Sequence, residues 1–300
     1  MYFLSEEEKR LVLRRLAPEA RERGVAEELR GWNWDKPPLS PIFDTRLGVY
    51  EVAGHYCPTG RDLYLRRVMN VRVPPSQAMA EGGYLHALLC RIILAAKRTL
   101  YTADGNPLDA LGILQEPAPA PIDNGADAGA LREKAALLWS HEYRQIVARA
   151  QDVLARQPRI GIDSLVNLAL PVIVEQKLDG TFLGLSPHLS VDAFVWSEPM
   201  VLDVKFGRKE PFHRLSATGY ALVMESIYEY PVNLGCLAYV SFADGRVLVE
   251  RDFHVIDDEL RQWFIEARDE RARLVEEEID PGLPEKCRVS CPYYRECHPE

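Results

Sequence analysis

Apolar positions recur at helical spacing through the first half of this chain and at strand-like spacing through much of the second. Residues 5 to 30 read as helical, with Ser5 as N-cap and Glu8 three positions on, the spacing of a capping box. Pro37, Pro38 and Pro41 make residues 33 to 41 an extended arm. A short apolar piece, Leu47 to Val52, leads into the turn Gly54-His-Tyr-Cys-Pro-Thr, and Thr59 with Asp62 predicts a helix start near Gly60. After Pro74-Pro75, Leu85, Leu88, Leu89, Ile92, Ile93 and Ala96 form one stripe, which predicts a helix over 77–100. Pro117, Pro119 and Pro121 mark a loop, and 128–156 reads as a third long helix.

The pattern then shortens. Residues 168–178, 189–196 and 200–206 read as three strands separated by Gly, Pro and Ser turns, followed by a helix over 211–228. Two further strands, 234–242 and 247–253, are joined by Ala243-Asp-Gly, a hairpin signal. A charged helix over 257–278 precedes a cysteine-bearing terminus. This order predicts an α/β fold, a mixed sheet flanked by helices with a helical lobe before it. The expected organisation is an N-terminal helix and arm (1–50), a helical lobe (51–160), a sheet core (161–280) and a terminal cysteine segment (281–300).

The 300 residues are 47% hydrophobic and 27% charged, which excludes a largely disordered or collagen-like chain. No run approaches the roughly 18 uninterrupted apolar residues of a membrane helix, and the charged start has no signal-peptide core. A soluble cytoplasmic protein without a membrane partner is expected. The net charge of −9 argues against a chain that coats nucleic acid, but its distribution is uneven. Seven cations (Arg61, Arg66, Arg67, Arg72, Arg91, Lys97, Arg98) face only Asp62 and Glu81 between residues 58 and 98. A local basic face on an acidic body can still meet phosphates, and it can equally be a solvated helix face.

Of six cysteines, Cys90 lies on an apolar helix and Cys236 in an apolar strand, where cysteine acts as a small hydrophobe. Cys287, Cys291 and Cys297 crowd into eleven residues of a turn-rich terminus, and Cys57 sits in a similar Cys-Pro turn. Such a set suits an iron–sulfur cluster, a zinc ion or unligated thiols, with Cys57 as the natural fourth ligand. Either metal would clasp the two ends of the molecule together.

Charges inside the apolar strands carry the remaining chemistry. Asp192 lies in one strand, and Asp203 with Lys205 in the next. The period of two puts Asp203 and Lys205 on one face, with Val204 opposite. A tight turn would bring Asp192 to Asp203, making either a site for Mg²⁺ or Mn²⁺ beside a lysine or a buried Asp–Lys pair without chemistry. Glu175, beside Gln176 and Lys177, is either an additional acid of that site or a solvated one.

Asp, then Asp-x-Lys on the following strand, then a helix bearing Tyr220, resembles the PD-(D/E)XK nuclease core. With His86 upstream and Cys57 paired with a terminal three-cysteine cluster, the chain resembles the RecB-like iron–sulfur nucleases. Tyr56-Cys-Pro-Thr-Gly-Arg-Asp-Leu-Tyr-Leu together with Cys287-x3-Cys-Pro-Tyr-Tyr-x2-Cys is similar to the archaeal "Csa-one" branch of the CRISPR-associated "Cas-four" exonucleases. The resemblance implies a restriction-endonuclease-like sheet with an iron–sulfur module. It implies a 4Fe–4S cluster on Cys57, Cys287, Cys291 and Cys297, and Mg²⁺ or Mn²⁺ bound by His86, Asp192, Asp203 and the Val204 carbonyl. Lys205 would be catalytic, and Tyr220 would stand near the DNA path.

The implied activity is a phosphodiester hydrolase acting on single-stranded DNA or DNA ends. Its implied partners are the CRISPR integrase and its small partner subunit during spacer acquisition. The pattern departs at Ser216, where relatives carry Gln, at Leu189, where they carry Gly, and at Asp203, where many carry Glu. The first two terminal cysteines are also separated by three residues instead of two. Tyr56, Tyr64, Tyr293 and Tyr294 are candidates to stack on unpaired bases or to pack around a cluster, and Arg61, Arg66 and Arg67 are candidates to hold phosphates. The second reading is a catalytically weak DNA-binding adaptor; a third is a zinc-containing binding protein.

Overall fold

The structure is a computed structural model that describes residues 1–115, 128–195 and 199–299. The proline loop expected at Pro117, Pro119 and Pro121, and the turn expected after Trp196, lie outside the described residues. The chain runs through α1 (Glu6–Leu11), a π-helical turn (Val12–Leu16), α2 (Ala17–Arg23), α3 (Val49–Ala53), α4 (Arg61–Arg67), α5 (Gln77–Tyr101), α6 (Pro107–Gly112), α7 (Ala128–Arg156) and α8 (Ile162–Ala169). Then come β1 (Ile173–Leu178), β2 (Leu189–Val195), β3 (Met200–Lys205), α9 (Arg214–Tyr228), β4 (Leu234–Ala243), β5 (Arg246–Val255), α10 (Asp258–Glu276) and α11 (Tyr294–Cys297).

Local chemistry explains most of these boundaries. Ser5 caps α1 through the predicted capping box with Glu8. The helical start ends at Arg23, short of the expected residue 30, because Gly24 takes a φ of 69° and turns the chain into two short 3₁₀ segments. The strand expected over 168–178 starts only at Ile173. Its first residues complete α8, whose Leu165 and Ala169 are buried at helical spacing, and Pro171 separates helix from strand.

The five strands form one mixed sheet in the order β1-β2-β3-β4-β5, antiparallel except for the β3–β4 pair, which the α9 crossover makes parallel. Both faces of β3 are covered, so its residues form an almost continuous apolar run. Met200, Leu202 and Val204 pack into a core shared with α5 and α7. Val201 packs into the second core, under α9 and α10. The α5 helix is long and apolar enough to span a membrane by length and composition alone, but its Leu85, Leu88, Leu89, Ile92 and Ile93 are all buried within the first core.

The second core is tightened by a close approach: a Cβ at Gly219 of α9 would lie 2.5 Å from the Phe264 ring of α10. A buried charge network ties the same helices to the N-terminal arm. Glu225 accepts two hydrogen bonds from the fully buried Arg261, at 2.7 and 2.9 Å, one from Arg30 at 3.0 Å and one from the Gly31 amide at 2.9 Å. Each charge in it is paired, which makes its burial tolerable.

Candidate active site

β2 and β3 pair from Ala193↔Leu202 to Val195↔Met200 and then part. In the next register position stand Asp192 and Asp203, at the mouth of the fork. The Val204 amide donates to Asp192 Oδ2 at 2.9 Å, so a carboxylate takes the bond that a strand carbonyl would otherwise accept. Asp203 shares Val201's face by alternation, and Lys205 follows on the same face with Nζ 2.8 Å from Asp203 Oδ2. From α5, His86 reaches the fork with Nε2 2.6 Å from Asp192 Oδ2. Glu175 of β1 places Oε1 3.9 Å from His86 Nδ1, and one ligand atom each from His86, Glu175 and Asp192 lie within 4.8 Å of one another.

The electrostatics at the fork split the two aspartates. Burial pushes Asp192 up, but His86, Lys205 and the Val204 amide together hold it below the usual carboxylate value. Asp203 goes the other way. Burial outweighs Lys205, and the neighbouring Asp192 charge adds to it, pushing Asp203 up to about 6. Burial lowers His86, yet the Asp192 charge and hydrogen bond win and raise it. Lys205 is likewise raised, because its pairing with Asp203 outweighs burial.

This donor set fits a hard divalent cation. Asp203 is only 5% exposed, and its Oδ2 takes no directed hydrogen bond, meeting only the Lys205 ammonium as an ion pair. Two or three carboxylates and one imidazole at the mouth of a fork are the ligand types that Mg²⁺ and Mn²⁺ use.

Tyr220 lies on α9, where burial raises its phenol first and the charges of Asp192, Asp203 and Glu175 raise it further, which puts it in electrostatic range of the fork. Ser216, one turn earlier, is buried on the same helix. Residues beyond the sequence-based set also meet here. Ser190 donates to Glu175 Oε2 at 2.7 Å. Tyr56 Oη lies 2.8 Å from His213 Nε2, and His213 Nδ1 lies 3.3 Å from Tyr239 Oη. Burial, then the Lys205 charge, lowers His213 to about 4. Nothing in the local sequence marks His213; only the fold brings it beside Lys205.

The cysteine region is a junction between chain ends. None of the six cysteines is in a disulfide. Thr59 Oγ1 donates to the Gly282 carbonyl at 3.0 Å and Arg61 pairs with Asp280 at 3.0 Å, so the Cys57 turn lies against the terminal segment. Burial pushes the Cys291 and Cys297 thiols up, and the Cys287 and Cys57 sulfurs push the same way. A bound cationic centre would reverse that direction. Among the described residues no three cysteine sulfurs lie within 4.8 Å of one another, which is looser than the spacing of about 3.8 Å between thiolates on one zinc ion that bonds of 2.3 Å imply. The four cysteines are a soft donor set in turns where the two ends of the chain meet.

Most residues expected to touch DNA are otherwise engaged. Arg61 pairs with Asp280, Arg66 and Arg67 pair with Glu51, and Tyr293 is buried. Tyr56 stays about half exposed, beneath the Arg288 guanidinium at 5.8 Å from its ring centroid. Burial raises its phenol most, and the Lys205 and Asp203 charges also act on it. Tyr56 is thus in electrostatic range of the fork, while Arg288 above it pairs with Glu210 at 2.9 Å; each is next in sequence to a cysteine.

The chain matches, over residues 1–300, the family described as CRISPR-associated exonuclease Csa1. It is 32% identical over 290 residues to the CRISPR-associated exonuclease Csa1 of Saccharolobus solfataricus, covering 92% of this chain and 94% of that protein. It is 33% identical over 273 residues to the protein of the same name from Thermoproteus tenax, covering 91% of each. No solved structure gave a significant match.

Proposed function

This chain belongs to the CRISPR-associated exonuclease Csa1 family, and we propose that it is a divalent-metal-dependent deoxyribonuclease with a PD-(D/E)XK core. It acts on single-stranded DNA or DNA ends as an exonuclease in CRISPR spacer acquisition, in the cytoplasm, beside the CRISPR integrase and its small partner subunit. The observation that carries the reading is the β2–β3 fork, where His86 meets Asp192, Asp192 takes the Val204 amide, and Asp203, opposite Asp192 in register, pairs with Lys205.

His86, Asp192, Asp203 and the Val204 carbonyl would hold Mg²⁺ or Mn²⁺, which supplies charge neutralisation at the scissile phosphate and a more acidic water. Asp192, held ionised by His86 and the Val204 amide, is the anchor. Lys205 is poised to stabilise negative charge as it develops on the phosphoryl oxygens or to orient the attacking water. Tyr220 stands behind the fork from α9. Tyr56 offers an aromatic face and Arg288 a guanidinium to an unpaired nucleotide entering the site. Cys57, Cys287, Cys291 and Cys297 would hold a 4Fe–4S cluster, whose role would be to brace the Tyr56 turn against the terminal segment.

The test is cleavage of end-labelled single-stranded DNA with Mn²⁺ by the parent, Asp203→Ala and Lys205→Ala proteins. The parent should cut, and each variant should be at least about a thousand-fold slower, the scale on which electrostatic groups at a reacting centre act. Equal cutting by all three would overturn the assignment. Ser216, in place of the glutamine of relatives, favours a second reading, a DNA-binding adaptor with weak catalysis, for which the same assay would show binding without cutting by the parent.

A further inference from the structure

One rung of the sheet is missing. β1 and β2 pair Val174↔Ala193 and Gln176↔Val191, while Glu175 and Asp192, which stand opposite each other between those pairs, are unpaired. Both strands change face at that rung. In a regular strand, residues an even number apart share a face, yet Val174 packs into the α5 core and Leu178 into the α9 core. Likewise Ala193 faces the α5 core and Val191 the α9 core. Glu175 sits in the break with a φ of 52°, a left-handed conformation that is strained for a residue with a Cβ. Backbone held in such a state is over-determined by its surroundings and concentrates at working sites.

The break delivers a carboxylate to a defined place. Ser190 Oγ engages Glu175 Oε2 at 2.7 Å, and Lys177 stands 3.7 Å from the same oxygen. The other oxygen, Oε1, is left facing the His86 imidazole at 3.9 Å. His86 is thus flanked by Glu175 on Nδ1 and Asp192 on Nε2, and the three ligand atoms form the cation-sized group at the fork. Asp203 Oδ2, buried and without a directed hydrogen bond, belongs to the same fork.

We infer that Glu175 is a direct ligand of the divalent cation, a third carboxylate beside Asp192 and Asp203, and that the missing rung serves to present it. The inference rests on the metal-dependent reading above. An added carboxylate oxygen suits the hard, oxygen-seeking Mg²⁺ and Mn²⁺, and a side chain already turned by Ser190 loses little freedom on binding.

Mn²⁺ titration of the full chain, followed by electron paramagnetic resonance of free Mn²⁺, tests it on the parent, Glu175→Gln, Glu175→Gly and Asp192→Asn proteins. Each protein's thermal unfolding is also recorded without metal. Both Glu175 variants should bind Mn²⁺ at least tenfold more weakly than the parent. Glu175→Gly should unfold at or above the parent's temperature, since glycine adopts the left-handed conformation freely. Parent-like Mn²⁺ affinity in Glu175→Gly, alongside weakened binding in Asp192→Asn, overturns the role of Glu175 and leaves the metal site standing. A parent protein that binds no Mn²⁺ overturns both.

Discussion

At the β2–β3 fork, His86 of α5 contacts Asp192 of β2, Asp192 takes the Val204 amide of β3, and Asp203 pairs with Lys205 beside them. At the cysteine junction the donors sit in turns of two chain segments that meet through Thr59–Gly282 and Arg61–Asp280 contacts. Their sulfurs act on each other electrostatically, without any three closing to within 4.8 Å among the described residues. The fork is preorganised by the fold, as a site that must act on a transition state needs to be. On the proposed reading the junction should depend on what it binds, as sites with coupled folding and ligation do. The expected consequence is a division of labour: damage at the fork changes rate with little change in stability, and damage at the junction changes stability first.

The largest effect that can break this contrast comes from Cys291→Ala. Iron should be lost from anaerobically purified protein, and the unfolding temperature should drop by about 5–10 °C, which corresponds to roughly 2–3 kcal/mol in a domain of this size. Unchanged stability with iron lost would remove the structural role. Colourless parent protein carrying zinc and no iron would remove the cluster altogether.

A smaller effect sharpens the link between the regions. Tyr56 and Arg288 are sequence neighbours of Cys57 and Cys287, yet Tyr56, beneath Arg288, is in electrostatic range of Lys205. Tyr56→Ala should weaken single-stranded DNA binding about tenfold, from loss of a stacking platform worth of order 1–3 kcal/mol. Fluorescence anisotropy in Ca²⁺ buffer, with iron content measured in parallel, checks it. Weakened binding with iron retained places Tyr56 on the DNA path, and iron loss instead would make it part of the cluster's packing.

How much of this was legible in the residues follows from their periodicity. Asp203 and Lys205 could be put on one face because residues two apart in a regular strand share a face, and the apolar run around them reads as a strand. Cys57 could be joined to the terminus because four cysteines stood in turns. Glu175 could not be assigned, since its role depends on a missing rung and a positive φ that leave no trace in hydrophobic alternation. The misplaced start of β1 has a similar cause. The run from Leu165 to Val174 is apolar at both helical and strand spacing, and only packing of Leu165 and Ala169 against the α7 side separates α8 from the strand. His213 and Arg288 join the site through long-range folding, which no local motif records.

A last effect concerns neither region and gives a baseline for both. His254 of β5 is 5% exposed, and burial lowers its imidazole to about 4. Its folded value lies below the ordinary 6.5, so between those values the unfolded chain binds more protons. Stability should therefore be lost as pH falls from about 6.5 to 4, by up to roughly 1.4 kcal/mol per pH unit from this group. Denaturant midpoints across that window for the parent and His254→Gln check it, and the variant should show the shallower slope.

On the proposed reading the fork gathers its ligands around one divalent ion. Anomalous diffraction at the manganese edge, from crystals grown with Mn²⁺, tests it most directly. The account predicts a peak bounded by His86, Asp192 and Asp203 next to Lys205. A manganese peak elsewhere in protein that still cuts DNA, with none at the fork, would contradict it.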